Sequence, residues 1–377
     1  MRVLLSSING FGHVLAMLPL ARAFGAAGHD LRWATNGAAL PRLRADGIDV
    51  VEAGTDASEF AGFERELAAR LTDVPTEQRA ATAFPQLFGT WLAPRMTDDL
   101  MEAARAWAPD LLVHEQAELA APLVGAVLGI RTVTHGFGGA VPQPIVAAAE
   151  ARVAPLWARH GLEVPPLAGC YSDGYIDICP PGLQTVPTAH IARVLPMRPA
   201  EAGGRIERAD PPQILLTLGT VHNSIGVLST ALSGLRALVP GARITVSVGP
   251  DLDPLALGPQ PDDVRIERWI DQSALIPACR LVVSHAGSGT TFGALAAGVP
   301  LLCLPQGADQ FRNASAVAAS GAGLALPPPL ATAEAIRTAA ERLLTEDGFA
   351  QAAARIAAEI AAMPSPHEVV ERLAATA

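Results

Sequence analysis

The strongest constraint on the fold is an order that recurs along the chain: a short apolar run, a glycine-rich turn, then a stretch with helical periodicity. It opens the sequence, where Arg2 to Ser6 lead through "INGFGH" into a helical pattern from Val14 to Ala27 closed by Gly28. It returns at "LVVSHAGSGTTFGALAAG", Leu281 to Gly298. Between the two, "DLRWAT", "GIDVVEA", "PDLLVHE" and "RTVTHG" read as strands. Helical patterns over Glu59 to Arg70, Ala81 to Trp107 and Ala117 to Leu128 separate them. Further on, "QILLTLGT", "ITVSVG", "VRIERWI" and "PLLCLP" are strands. Strands that alternate with helices pair in parallel, because each helix carries the chain back to the edge where the next strand starts. Only between Pro142 and Pro199 does the pattern weaken.

With 377 residues the chain exceeds one ordinary core and divides into domains of about 150 to 200 residues each. The division falls at "PMRPAEAGGRIERADPP", Pro196 to Pro212, which is rich in Pro, Gly and charge and lacks an apolar period. The expected layout is an N-terminal domain over 1–198, a linker over 199–212 and a second domain over 213–363. A C-terminal helix over 364–377 is expected to pack back on the first domain. The fold class expected is α/β, two doubly wound Rossmann-like domains facing a central cleft. In such sheets ligands bind outside the carboxyl ends of the strands.

A formal charge of -10 argues against nucleic acid as the partner, since phosphate backbones need clustered cations. The four cysteines, Cys170, Cys179, Cys279 and Cys303, show neither metal-ligand spacing nor a disulfide framework and are expected to be reduced and buried. Glycines and His13 interrupt the apolar N-terminus, which fits a strand, loop and helix better than a signal peptide. No apolar run has the length of a membrane span, so a cytoplasmic protein is expected, with a homodimer left open.

In "SHAGSGTT" the residues Gly287, Ser288, Gly289 and Thr290 follow a strand and open a helix. Backbone N–H groups at such a helix start favour an anion, glycine allows close approach, and His285 can donate from its ring. A structural turn would explain the glycines equally well. The wider stretch "RWIDQSALIPACRLVVSHAGSGTTFGALAAGVPLLCLPQGADQFRNA", Arg268 to Ala314, resembles the nucleotide-sugar signature of family 1 glycosyltransferases of the GT-B fold. The likeness is greatest to bacterial enzymes that attach deoxysugars to antibiotic and other natural-product aglycones. The N-terminal loop, "PDLLVHE" and the tail "PSPHEVVERL" fall in matching order, so the resemblance covers most of the chain.

The resemblance implies a donor site with Trp269, Ile270 and Gln272 at the base. His285 and the loop Gly287, Ser288, Gly289 and Thr290 would meet the diphosphate, with Gly219 and Thr220 approaching it. Asp309 and Gln310 would hold sugar hydroxyls, although an Asp there would also suit a helix N-cap. It implies His13 as general base, a task that suits imidazole. Glu115, where plant members carry Asp, would orient it. Plant members bind the ribose hydroxyls with a glutamate where Gly293 stands here, which favours a dTDP-sugar over a UDP-sugar. Phe84, Trp91 and Phe137 would line an apolar acceptor pocket, or belong to the core. No metal and no cofactor is expected. The partners are a nucleotide-sugar donor and an apolar aglycone, and direct displacement would invert the anomeric centre. Two rivals remain: a GT-B-fold nucleotide-sugar epimerase, and a nonenzymatic nucleotide-sugar-binding partner protein.

Overall fold

A computed structural model describes residues 1–199, 211–219, 224–238, 242–250 and 252–375. Most of the expected linker, 200–210, lies outside the described residues, as do Thr220 and His222. The chain forms two compact units. One comprises Met1–Cys179, Val186–Met197 and Pro364–Ala377, the other Pro180–Thr185 and Arg198–Met363. Pro180–Thr185 therefore leaves the 1–198 span expected for the first domain. Its Gly182 N–H donates to Glu359 Oε2 of the second unit at 2.7 Å.

The first unit holds a parallel sheet of β1 (Arg2–Ser6), β2 (Asp30–Thr35), β3 (Asp49–Glu52), β4 (Leu111–Glu115), β5 (Arg131–His135), β6 (Tyr175–Asp177) and β7 (Val194–Pro196), in the order β3-β2-β1-β4-β5-β6-β7. The second holds β8 (Gln213–Thr217), β9 (Arg243–Ser247), β10 (Val264–Glu267), β11 (Cys279–Ser284), β12 (Leu301–Cys303) and β13 (Gly323–Ala325), in the order β10-β9-β8-β11-β12-β13. Val3, Leu4, Leu5, Leu111, Leu112 and Val113 are all buried, as are Ile214, Leu215 and Leu216. Continuous apolar runs are what a parallel strand covered on both faces requires. Each sheet reverses its strand order once at the centre, between β1 and β4 and between β8 and β11. The loops at those two points are the glycine-rich ones.

Three elements differ from the sequence expectation. The helix expected over Ala81 to Trp107 is broken into Thr76–Phe84, a wide π turn at Pro85–Leu92 and Ala93–Trp107. Pro85 lacks the N–H that an α ladder needs there, so the turn widens. The helix expected from Ala117 begins at Ala121. Carboxylates of Glu115 and Glu118 take up the N–H groups of Ala117, Ala120 and Ala121, which makes the preceding residues a cap instead of a turn of helix. In the stretch of weak pattern, Gln143–Arg159 is a helix that buries Val146, Ala149, Val153, Leu156 and Trp157. At the C-terminus, Pro366–Ala374 starts with a capping box of Ser365 and Glu368 and packs on the helix Phe11–Ala26 of the first unit.

Candidate active site

At the switch point of the first sheet, β1 leads through a glycine-rich loop into the helix whose first turn carries His13, and β4 ends on Glu115. Gly10 occupies the N-cap of the helix Phe11–Ala26, and a Cβ there would stand 2.9 Å from His13 Cδ2, so glycine makes room for the ring. His13 Nδ1 lies 3.1 Å from Glu115 Oε2, a contact at ion-pair distance that is not aligned as a hydrogen bond. Glu115 is fully buried while His13 keeps a fifth of its side chain exposed, 19%. With Nδ1 turned to the carboxylate, Nε2 is the ring nitrogen left for a substrate. Phe137 packs on the imidazole at 4.4 Å between ring centroids and Phe88 at 6.0 Å. Glu115 Oε2 also accepts from the Ala117 N–H at 2.7 Å, which fixes the carboxylate.

Behind this pair lies a polar layer of Glu118, His114 and His135, of which the sequence reading did not single out Glu118. Glu118 is buried and accepts from the Ser6 hydroxyl at 2.8 Å and from the N–H of Ala120 at 2.7 Å. Burial pushes its carboxyl up to about 7, although the Ser6 and Ala120 donors favour the anion. His114 Nδ1 faces the carbonyls of Glu118 at 2.8 Å and Glu115 at 3.0 Å and must donate to them. Its Nε2 is left to accept from Thr134 Oγ1 at 2.9 Å. Burial lowers His114 to about 4, so it is a neutral structural group. His135 ends β5 beside Glu115 in register, donates from Nδ1 to the Gly136 carbonyl at 2.6 Å, and is likewise lowered to about 4 by burial. The signal that could have found Glu118 is its spacing: two glutamates three apart just before a helix start.

The acceptor aromatics divide. Phe137 touches His13. Phe84, the last residue of the helix Thr76–Phe84, instead lies in the core with Leu119, Leu123 and Tyr175. Trp91 stacks on Phe63 at 4.1 Å and carries Arg95 on its ring at 4.5 Å, so its faces are already occupied. Phe88 stands in their place, beside a cleft lined also by Ser7, Asn9, Thr55, Met96 and Glu118.

At the switch point of the second sheet, Gly219 follows β8 and His285 follows β11. A Cβ on Gly219, at φ 76°, would lie 2.5 Å from His285 Cε1, and one on Gly287 would collide with Nε2, so the ring is seated between two glycines. No side chain caps the helix Ser288–Ala296 and no acidic residue stands in its first turn, which leaves its N-terminus suited to an anion. The hydroxyls of this loop are directed away from such an anion. Ser288 Oγ donates to Asp309 Oδ2 at 3.1 Å, and Thr290 Oγ1 to Gln272 Oε1 at 2.9 Å. Backbone amides of Gly287, Ser288, Gly289 and Thr290, beside the ring of His285, are therefore the groups that would meet an anion at this helix start.

Asp309 makes no side-chain cap to the helix Gln310–Ser320. Its Oδ2 instead accepts from Ser288 and from Asn313 Nδ2 at 2.9 Å. Gln310 is buried, and its Oε1 accepts from the N–H groups of Gln306 at 2.7 Å and Gly307 at 3.0 Å, closing its own loop. Only its amide nitrogen remains to meet a ligand. Trp269 is half exposed and Ile270 half buried beside it.

Known proteins match along the whole chain. Residues 22–199 match the N-terminal domain, and residues 245–376 the C-terminal domain, of the erythromycin biosynthesis protein CIII-like family. The elloramycin glycosyltransferase ElmGT of Streptomyces olivaceus is 33% identical over 99% of this chain and 97% of its own length. An L-demethylnoviosyl transferase of Streptomyces niveus is 34% identical over 100% and 98%. Among solved structures, the Streptomyces sp. SF2575 glycosyltransferase SsfS6, complexed with thymidine diphosphate, superposes with a TM-score of 0.77 at 27% identity, covering 100% of both chains. Two parallel sheets with a glycine-rich loop at each switch point and this run of relatives lead to one conclusion: the chain belongs to the erythromycin biosynthesis protein CIII-like family of GT-B natural-product glycosyltransferases.

Proposed function

We propose that the protein transfers a deoxysugar from a dTDP-sugar to a hydroxyl of an apolar aglycone, with inversion and without a metal. The observation that carries this reading is the pair of His13 and buried Glu115 at one switch point, set against the uncapped helix start with His285 at the other. The acceptor hydroxyl gives its proton to His13 Nε2 as its oxygen bonds to the anomeric carbon. The bond from that carbon to the diphosphate oxygen breaks, and the diphosphate leaves with the electron pair. Glu115 holds the ring and favours the imidazolium that forms. Helix amides and His285 meet the charge that builds on the leaving diphosphate, which is the task a metal would otherwise perform.

Gly293 supports dTDP over UDP. A Cβ at that position would meet only Ile276 Cδ1 at 3.8 Å, so packing does not demand a glycine. Nothing in the packing of a Cβ there excludes a side chain, and the chain carries no carboxylate at this position to reward a ribose 2'-OH. SsfS6, similar over its full length, is the thymidine diphosphate complex named above. Calorimetric titration with dTDP and with UDP, in the absence of added metal, tests the reading. Tighter dTDP binding is expected; tighter UDP binding would overturn the donor assignment, and binding of neither would overturn the donor site.

A further inference from the structure

Asn313 is buried, 9% exposed, on the helix Gln310–Ser320. Its Nδ2 lies 3.0 Å from the Ala286 carbonyl, 3.1 Å from Ser288 Oγ and 2.9 Å from Asp309 Oδ2. Three acceptors around one atom identify it as the amide nitrogen and use both of its hydrogens. Ser288 donates its own hydrogen to the same Oδ2. The carboxylate of Asp309 is thus asymmetric: Oδ2 receives two donors from the protein, while Oδ1 takes none among the described residues. Ala286 has a positive φ of 66°, a strained conformation for a residue with a Cβ, and it sits between His285 and Gly287. The Ser284 hydroxyl accepts from its N–H at 3.1 Å and Asn313 donates to its carbonyl, so that strain is pinned from both ends.

We infer that Asn313 is a positioning residue of the donor site, locking the Asp309 carboxylate to the His285–Ser288 loop so that Oδ1 alone faces the sugar at a fixed offset from the diphosphate. The inference rests on the donor-site reading above and adds what couples its two halves. A side chain that merely fills space in this helix would matter to every ligand alike. One that orients Asp309 costs ligands that carry a sugar more than those that do not.

The test is calorimetric titration of the wild-type protein, Asn313→Ala, Asp309→Ala and the double variant with dTDP and with dTDP-glucose. In Asn313→Ala the ratio of dTDP-glucose to dTDP affinity is expected to fall about tenfold, the scale of one charge-assisted hydrogen bond, beyond whatever dTDP itself loses when the Ala286 carbonyl is released. Asp309→Ala should do the same, and the double variant should lose no more than either, because both remove one device. Equal weakening of dTDP and dTDP-glucose, or losses that add in the double variant, would overturn the inference while leaving the donor site standing. A wild-type protein that binds neither nucleotide would overturn both. Should Asn313→Ala fail to fold, Asn313→Ser, whose shorter hydroxyl does not span to the Ala286 carbonyl and Oδ2 together, gives the same comparison.

Discussion

The two units place their chemistry at the same topological point and equip it in opposite ways. In the first, the ends of β1 and β4 gather ionisable side chains: His13, Glu115 and Glu118, with His114 and His135 behind. In the second, the described residues at the ends of β8 and β11 gather glycines, hydroxyls and amides around the imidazole of His285, with the Asp309 carboxylate beside them. In the proposed reaction a proton is taken up at the first, so titratable groups are worth the desolvation they cost there. In the same proposal a preformed anion is held at the second, and backbone dipoles would do this without changing protonation. One parallel-sheet switch point thus serves two tasks, and the residues placed in it decide which.

The largest expected effect breaks the first site. His13→Ala should lower kcat by about 100-fold or more, the usual worth of a general base, while dTDP affinity holds. A loss of dTDP affinity with turnover at saturation intact would remove the distinction between the sites. The converse substitution breaks the second. Gly287→Ala puts a Cβ into the space of His285 Nε2 and should weaken dTDP binding by roughly tenfold, from the displaced donor alone. Gly289→Ala, two residues on, meets nothing within 4 Å and should leave folding stability within about 0.5 kcal/mol. A comparison of the two melting curves and dTDP isotherms separates the seat of His285 from the glycine content of the loop.

The fold was legible because parallel strands covered on both faces write continuous apolar runs, and both switch-point loops carry glycines where a ring or an anion needs space. His13, Glu115, His285 and Asp309 could be located by motif and counting. What could not be read depends on hydrogen-bond direction. Nothing in "SGTT" says that Ser288 and Thr290 spend their hydrogens on Asp309 and Gln272, or that Gln310 folds its oxygen back on Gly307. Phe84 and Trp91 share an aromatic stripe with Phe88, and only the widened turn after Pro85 decides which of them reaches the cleft. Glu118 escaped notice because a carboxyl before an apolar helix looks like a surface cap until the sheet buries it.

The smallest expected effect sharpens the cost of the first site. Glu118 is raised from 4.5 to about 7 by burial. Its stabilising contribution is therefore complete below about 4.5 and is lost as pH rises through about 7, since the folded chain holds the proton longer than the unfolded one. His114 and His135, lowered from 6.5 to about 4, act in the opposite sense: their contribution is present above about 6.5 and lost as pH falls toward 4. Glu118→Gln removes only the first of these opposing slopes. It also leaves an NH2 against a backbone N–H, so the variant should be less stable than wild type at pH 5. By pH 8 the wild type carries the cost of a buried anion that the variant lacks, and the gap should narrow by about 1 to 2 kcal/mol, within the ~3 kcal/mol ceiling set by the distance from 4.5 to about 7. Denaturant unfolding at the two pH values reads it directly. A gap that stays constant would mean that Glu118 is ionised throughout, and that the first site bears its second carboxylate as a charge from the start.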